Sequence, residues 1–143
     1  MVSQIRSITF DCADPDRVGN FWAVALNYAK REPPSGYATW ADYLAAQGVP
    51  EEEASGGVAI LDPKDNGPQL LFLPVPEGKV VKNRVHLDLV PEDTRDAEVQ
   101  RLLECGARVV QHFDTAVGGG FTVMQDPEGN EFCVEEGPGD TAS

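Results

Sequence analysis

His86 and Asp88 stand two residues apart in Val85-His86-Leu87-Asp88-Leu89-Val90, a segment whose first five residues alternate apolar and polar. On a strand that spacing puts both polar side chains on one face and Val85, Leu87 and Leu89 on the other. A histidine beside a carboxylate can move protons near neutral pH, because the carboxylate biases the protonation of the ring. These two are the candidate catalytic residues. The only other histidine, His112, ends the run Ala107 to His112 and reads as a strand-end residue. Glu131 and Cys133 alternate with Phe132 and Val134 in the same fashion. Cys133 would become a reactive thiol if a neighbouring His86 lowered its pKa; otherwise it is a small buried hydrophobe.

Ser7, Thr9 and Asp11 face away from Ile8 and Phe10 in a third alternating segment. With Glu131 and Cys133 they are candidate ligand contacts. Trp40, Phe72 and Phe121 are candidate apolar walls of the same pocket, or plain core. Asp11, Asp88 and Glu131 would form an acidic patch, and buried carboxylates demand a partner, water or a ligand. Arg6 and Arg84 are alternative partners for them. An acidic pocket favours neutral or cationic ligands over anions.

Other chemistries lack their residues. Gly118-Gly119-Gly120 has no following Lys-Ser/Thr and opens no helix, so it reads as a flexible hairpin rather than a phosphate loop. Cys12, Cys105 and Cys133 make no Cys-x-x-Cys pair, and their odd count predicts reduced thiols in a cytoplasm. The 143 residues carry 11 Lys and Arg against 24 Asp and Glu, a formal charge of −13, which speaks against nucleic acid and anionic membranes as partners. The excess is spread along the chain: residues 1–74 hold 10 acids and 5 bases, residues 75–143 hold 14 and 6. No secretory leader and no membrane-length apolar run is read, so the expected location is cytoplasmic.

The elements that must position these side chains are legible in order. Strand Ile5–Cys12 leads into Asp14-Pro15-Asp16, a helix start with a cap, a first-turn proline and a first-turn acid. Val18, Phe21, Trp22, Ala25 and Leu26 form its apolar stripe, with Lys30-Arg31 at its C-terminal end and Pro33-Pro34 stopping it. Between Ser35 and Ser55 the pattern allows a short strand at 37–40 or a short helix over Trp40, Tyr43, Leu44 and Gln47. Strands follow at Val58–Asp62 and Gln69–Val75. The order then restarts: a strand at Val85–Val90, a helix opened by Asp93 with Asp96 and closed by Gly106, and strands at 107–112, 121–125 and 131–135. Asp14 and Asp93 mark the two helix starts. The chain therefore repeats one unit: strand, helix, three strands.

Three segments then resemble a known family. Ile8-Thr9-Phe10-Asp11-Cys12-Ala13-Asp14-Pro15-Asp16, Lys82-Asn83-Arg84-Val85-His86-Leu87-Asp88-Leu89 and Asp126-Pro127-Glu128-Gly129-Asn130-Glu131-Phe132-Cys133-Val134 are similar to the vicinal oxygen chelate superfamily. That superfamily includes glyoxalases, bleomycin-resistance proteins and dioxygenases, and the likeness is to the glyoxalase-like type common in actinobacteria. The resemblance implies an α+β fold in which two βαβββ modules, 1–76 and 83–137, form a cupped, incomplete mixed β-barrel with the helices outside. A linker at 77–82 and a disordered tail at 138–143 complete one structural domain, 1–137. It also implies a homodimer and a small-molecule ligand. In metal-using members four strand positions hold the ion; here they fall on Ser7, Phe72, His86 and Cys133. Phe72 cannot ligate and Ser7 ligates poorly, so no cofactor is expected, and a divalent metal would have to use His86 with shifted partners such as Asp88 or Glu131. The expected function is metal-free binding of a neutral or cationic small organic molecule. The alternative is a lyase, isomerase or dioxygenase using a non-standard metal site or His86 as general base.

Overall fold

The computed structural model describes residues 1–54 and 56–141. Ser55, which closes the uncertain 35–55 segment, and the last two residues of the expected tail lie outside the described residues. The chain forms two compact units that part between Gly78 and Lys79. Among the described residues, no helix is long and apolar enough to cross a membrane.

The first unit contains β1 (Ser7–Cys12), α1 (Pro15–Leu26), β2 (Ala29–Lys30), α2 (Trp40–Ala46), β3 (Val58–Leu61) and β4 (Gln69–Pro74). Its sheet runs β1-β4-β3-β2, with β1 parallel to β4 and the other pairs antiparallel. Asp14 caps α1 by accepting the Arg17 N–H at 3.1 Å, and Pro15 occupies the first turn. Val18, Phe21 and Trp22 are buried on the stripe that the sequence predicts. Gly19 lies on that face because β3 comes close: an added Cβ would stand 3.0 Å from Val58 Cγ1.

The helix ends earlier than expected. Asn27 takes a left-handed cap at φ 54°, and its N–H and that of Tyr28 close onto carbonyls of the last turn. Lys30 is thereby released into β2, opposite Ile60, rather than ending the helix. The 35–55 ambiguity resolves as helix, with Thr39 accepting the Asp42 N–H at 3.0 Å.

The second unit repeats the plan with β5 (Asp88–Leu89), α3 (Arg95–Glu104), β6 (Arg108–Phe113), β7 (Phe121–Gln125), β8 (Glu131–Glu135) and α4 (Pro138–Thr141). Its sheet runs β5-β8-β7-β6, with β5 parallel to β8. The fold is thus mixed α+β, with two four-stranded mixed sheets of equal topology. Val99, Leu102, Thr122, Met124, Phe132 and Val134 form the buried side of this unit. Thr122 is satisfied there by His112, whose Nδ1 lies 2.8 Å from the hydroxyl.

Three expectations change here. Thr94, not Asp93, caps α3 by accepting the Ala97 N–H at 3.2 Å. Strand β5 is two residues long, Asp88–Leu89, rather than six. Residues 138–141 are helical rather than frayed: the Asp140 carboxylate accepts the N–H groups of Gly137 at 2.9 Å and Arg95 at 2.7 Å, tying this end to the start of α3.

Candidate functional site

The parallel β5–β8 register sets Asp88 beside Cys133, and antiparallel β7 sets Val123 on the other side of Cys133. Paired residues share a sheet face, so this row lies opposite the buried row of Phe132 and Val134. His86 joins it from just before β5. Its Nε2 is 3.4 Å from Asp88 Oδ1, and one donor atom each from His86, Asp88 and Cys133 lie within 4.8 Å of one another. The His86 and Asp88 side chains are 41% and 53% exposed, whereas Cys133 lies beneath them at 8%. These three residues, each singled out in the sequence, lie together.

The thiol is not activated. Burial pushes the Cys133 pKa up; the Asp88 charge, a hydrogen bond to Asp88 and the Glu135 charge push it further, against an opposing pull from Lys82. The condition for a reactive thiol, a pKa lowered by His86, is therefore not met, and Cys133 is buried as the alternative reading has it.

Glu131 sits on the same strand as Cys133 and faces the same way. Burial works to raise its pKa, but the Asn83 N–H at 2.9 Å and the Lys79 ammonium at 3.0 Å outweigh it and hold the carboxyl at about 2, down from 4.5. Asn83 Nδ2 also donates to Asn130 Oδ1 at 3.1 Å. Lys79 and Asn83 thus tie the chain leading to His86 onto β8. Their role escapes a reading of the sequence, because nothing in Pro76-Glu77-Gly78-Lys79 beyond a turn signal pairs it with a strand 52 residues later.

This clasp has a pH signature. A carboxyl whose folded pKa is depressed adds stability above its unfolded pKa and loses that contribution as pH falls from about 4.5 towards 2. Glu131→Gln is expected to cost about 1–2 kcal/mol at neutral pH, after allowance for solvent screening of a partly exposed pair. The gap from the wild type should narrow at about pH 3. Urea denaturation at both pH values checks this, and a gap that stays constant would contradict it.

In the first unit, Ser7, Thr9 and Asp11 share one face of β1 with their register partners Gln69, Leu71 and Leu73. Ser7 Oγ accepts from Gln69 Nε2 at 2.5 Å, and Asp11 is exposed. Phe72 does not join them. It is fully buried on the opposite face, 5.2 Å from the Phe10 ring and against Gly19, so it is core rather than pocket wall. Trp40 lines a cleft of about 300 Å³ with Lys30, Arg31, Thr39 and Gly57; its indole donates to the Arg31 carbonyl at 3.0 Å, and the Arg31 guanidinium lies 5.8 Å from its ring. Phe121 stacks on Phe113 at 5.0 Å at the far end of β7 from Gln125.

The family's four-position metal set is not rebuilt in this chain. Phe72 is turned away, and its strand neighbours on the other face, Leu71 and Leu73, carry no donor. What remains is His86, Asp88 and Cys133: one nitrogen, one carboxylate and one sulfur. Sulfur is a poor match for manganese, which prefers oxygen and nitrogen.

Comparison with solved structures finds this architecture repeatedly. A variant of the fosfomycin resistance protein FosX from Listeria monocytogenes, complexed with Mn(II) and a dihydroxypropylphosphonic acid, is 16% identical over 96% of this chain and 94% of its own, with a TM-score of 0.65. A glyoxalase/bleomycin resistance protein/dioxygenase family enzyme from Burkholderia phytofirmans PsJN is 12% identical over 93% of this chain and 98% of its own, TM-score 0.63. Hypothetical protein SA1046 from S. aureus is 16% identical over 95% and 98%, TM-score 0.60. No curated protein matches the sequence. At such identities the likeness is one of fold alone. The model of the glyoxalase-like domain adds a match in sequence, over residues 7–135. Those limits are the first residue of β1 and the last of β8, so both repeats fall within it and the chain belongs to the glyoxalase-like domain family.

Proposed function

We propose that the chain binds a small neutral or cationic organic molecule on the open face of β5 and β8, with His86, Asp88 and Cys133 as its polar contacts. It does so without the metal set spread over both repeats of the family pattern. The observation that carries this reading is the convergence of the three side chains: an exposed ring and an exposed carboxylate stand over a buried thiol. Asp88 offers an acceptor and a negative charge to an amine or hydroxyl, and His86 offers a ring nitrogen of either polarity. The negative charge of the chain repels anions at the same place. An amine-bearing antibiotic or secondary metabolite has the required chemistry.

Thermal-shift screening of chelator-treated protein with cationic, neutral and anionic small molecules tests this. Cationic or neutral compounds are expected to raise the melting temperature, and Asp88→Asn together with His86→Ala should remove most of the rise. At a hundred times Kd the stabilisation is about 2.7 kcal/mol, well within detection. A response confined to anions, or one unchanged in the double variant, would contradict it.

A second reading has support in the 3.4 Å approach of His86 Nε2 to Asp88 Oδ1. In it, His86 takes a proton from the bound molecule while Asp88 stabilises the charged ring, a lyase or isomerase type of chemistry. Turnover of a bound compound that His86→Ala abolishes while binding persists distinguishes catalysis from binding alone.

A further inference from the structure

We propose that the cleft at the β2 edge of the first sheet binds a second class of ligand, a flat aromatic monocarboxylate, with Arg31 gripping the carboxylate and Trp40 walling the ring. The site lies in the other unit from the β5–β8 face and takes the opposite ligand charge, so the two readings fail separately.

Strand β2 is the outer strand of its sheet, at the far edge from β1. Arg31 follows it and is held through its backbone on both sides. Its N–H donates to Ala59 O at 2.8 Å, and its carbonyl accepts the Trp40 indole N–H at 3.0 Å. Trp40 is the first residue of α2, whose start Thr39 caps. The Arg31 guanidinium lies 5.8 Å from the centre of the Trp40 ring, close enough for cation–π attraction. These contacts fix the base of Arg31 and leave its hydrogen-bonding fork unused. Among the described residues, neither Arg31 nor its neighbour Lys30 makes a side-chain hydrogen bond or an ion pair. In a chain with 24 acids and 11 bases, two adjacent cations without a carboxylate partner are available to an incoming one.

The cleft encloses about 300 Å³, the size of a small ligand pocket. Pro33, Ala38, Val58 and Ala59 give it apolar walls beside Trp40, and Lys30 and Arg31 bring the positive charge. An apolar slot with an aromatic wall and a guanidinium suits a flat ring bearing one carboxylate. The fork pairs with both carboxylate oxygens while the ring lies against the indole. Asp16 and Glu32 also line the cleft and are exposed there. Their charges penalise a second negative group, which selects monocarboxylates over dicarboxylates and phosphates. The net charge of the chain opposes anions at long range, but beyond about 8 Å it is screened at physiological ionic strength, so the nearest groups decide.

Titration of the isotope-labelled full chain with benzoate, followed through its two tryptophan indole signals, provides the test. The Trp40 signal, assigned with Trp40→Phe, is expected to shift and saturate. That of Trp22, 1% exposed in the core, should stay in place and reports that each variant is folded. Arg31→Ala should weaken benzoate binding about tenfold or more, and Arg31→Lys, which keeps the charge but loses the fork, should weaken it less. Uncharged benzamide and doubly charged phthalate should both bind more weakly than benzoate. The Asp88→Asn, His86→Ala double variant should bind benzoate as the wild type does. No saturable shift of Trp40, benzamide or phthalate binding as well as benzoate, undiminished affinity in Arg31→Ala, or loss of binding in the double variant would each overturn the proposal.

Discussion

Phe72→Ala is expected to lower the unfolding free energy by about 3–5 kcal/mol, the cost of emptying a fully packed aromatic site. Phe72 has no exposed surface, and its ring lies against Phe10 at 5.2 Å, which in turn lies 5.7 Å from Trp22. Gly19 brings α1 close on the same side. The loss should therefore reach α1, β1 and β4 together. The resemblance to metal-using members puts a ligand position here, so the variant also separates the two readings. A pocket-wall phenylalanine would give a small loss of stability and a large loss of ligand response. A core phenylalanine gives the reverse at temperatures where the variant is folded. Equilibrium denaturation monitored by tryptophan fluorescence reads the first quantity, and a loss below about 1 kcal/mol would contradict the core assignment.

Asp126→Ala is expected to cost about 3 kcal/mol, since it removes a buried carboxylate that accepts several hydrogen bonds within its turn. Asp126 is fully buried. Its Oδ1 accepts the N–H groups of Glu128 and Asn130, each at 2.9 Å, and Asn130 Nδ2 reaches Oδ2 at 3.0 Å. Gly129 completes the turn at φ 85°, a conformation other residues resist. This turn launches β8 and so sets Cys133 opposite Asp88; Asn130 also holds Asn83 on the approach to His86. The substitution should thus weaken ligand response as well as stability, although Asp126 is no part of the cluster. Asp126→Asn retains an acceptor and should lose less on both counts. Melting and ligand-shift measurements on the two variants check this; equal losses in both would mean that the charge and shape of the carboxylate, rather than its acceptor role, hold the turn.

Much of this architecture is written locally. Asp14-Pro15-Asp16 starts α1 because the cap, the fixed φ of proline and the first-turn acid all act within four residues. Alternation in Ser7–Cys12, Phe121–Gln125 and Glu131–Glu135 fixes which side chains share a face, and the repeat then follows from order alone. Local pattern also located His86, Asp88 and Cys133, but not their contact, which depends on the parallel register of β5 with β8. Where tertiary partners decide, the pattern misled. Lys30-Arg31 fit a helix end until Asn27 closed the helix and β3 recruited Lys30. Phe72 alternates with Leu71 and Leu73, all apolar, so hydrophobicity gives no sign of which face is covered; α1 decides it. The clasp of Lys79 and Asn83 on Glu131 is long-range and electrostatic, and no spacing rule reaches it.

If ligand chemistry resides on the β5–β8 face, a chemical-shift titration of labelled protein with a cationic compound from the thermal-shift panel will show where. The expected result is that the His86 ring and the backbone amides of Asp88 and Cys133 shift in parallel and saturate together. Saturable shifts centred on Trp40 and Arg31 with His86 unmoved would place the ligand in the first unit's cleft and contradict the assignment.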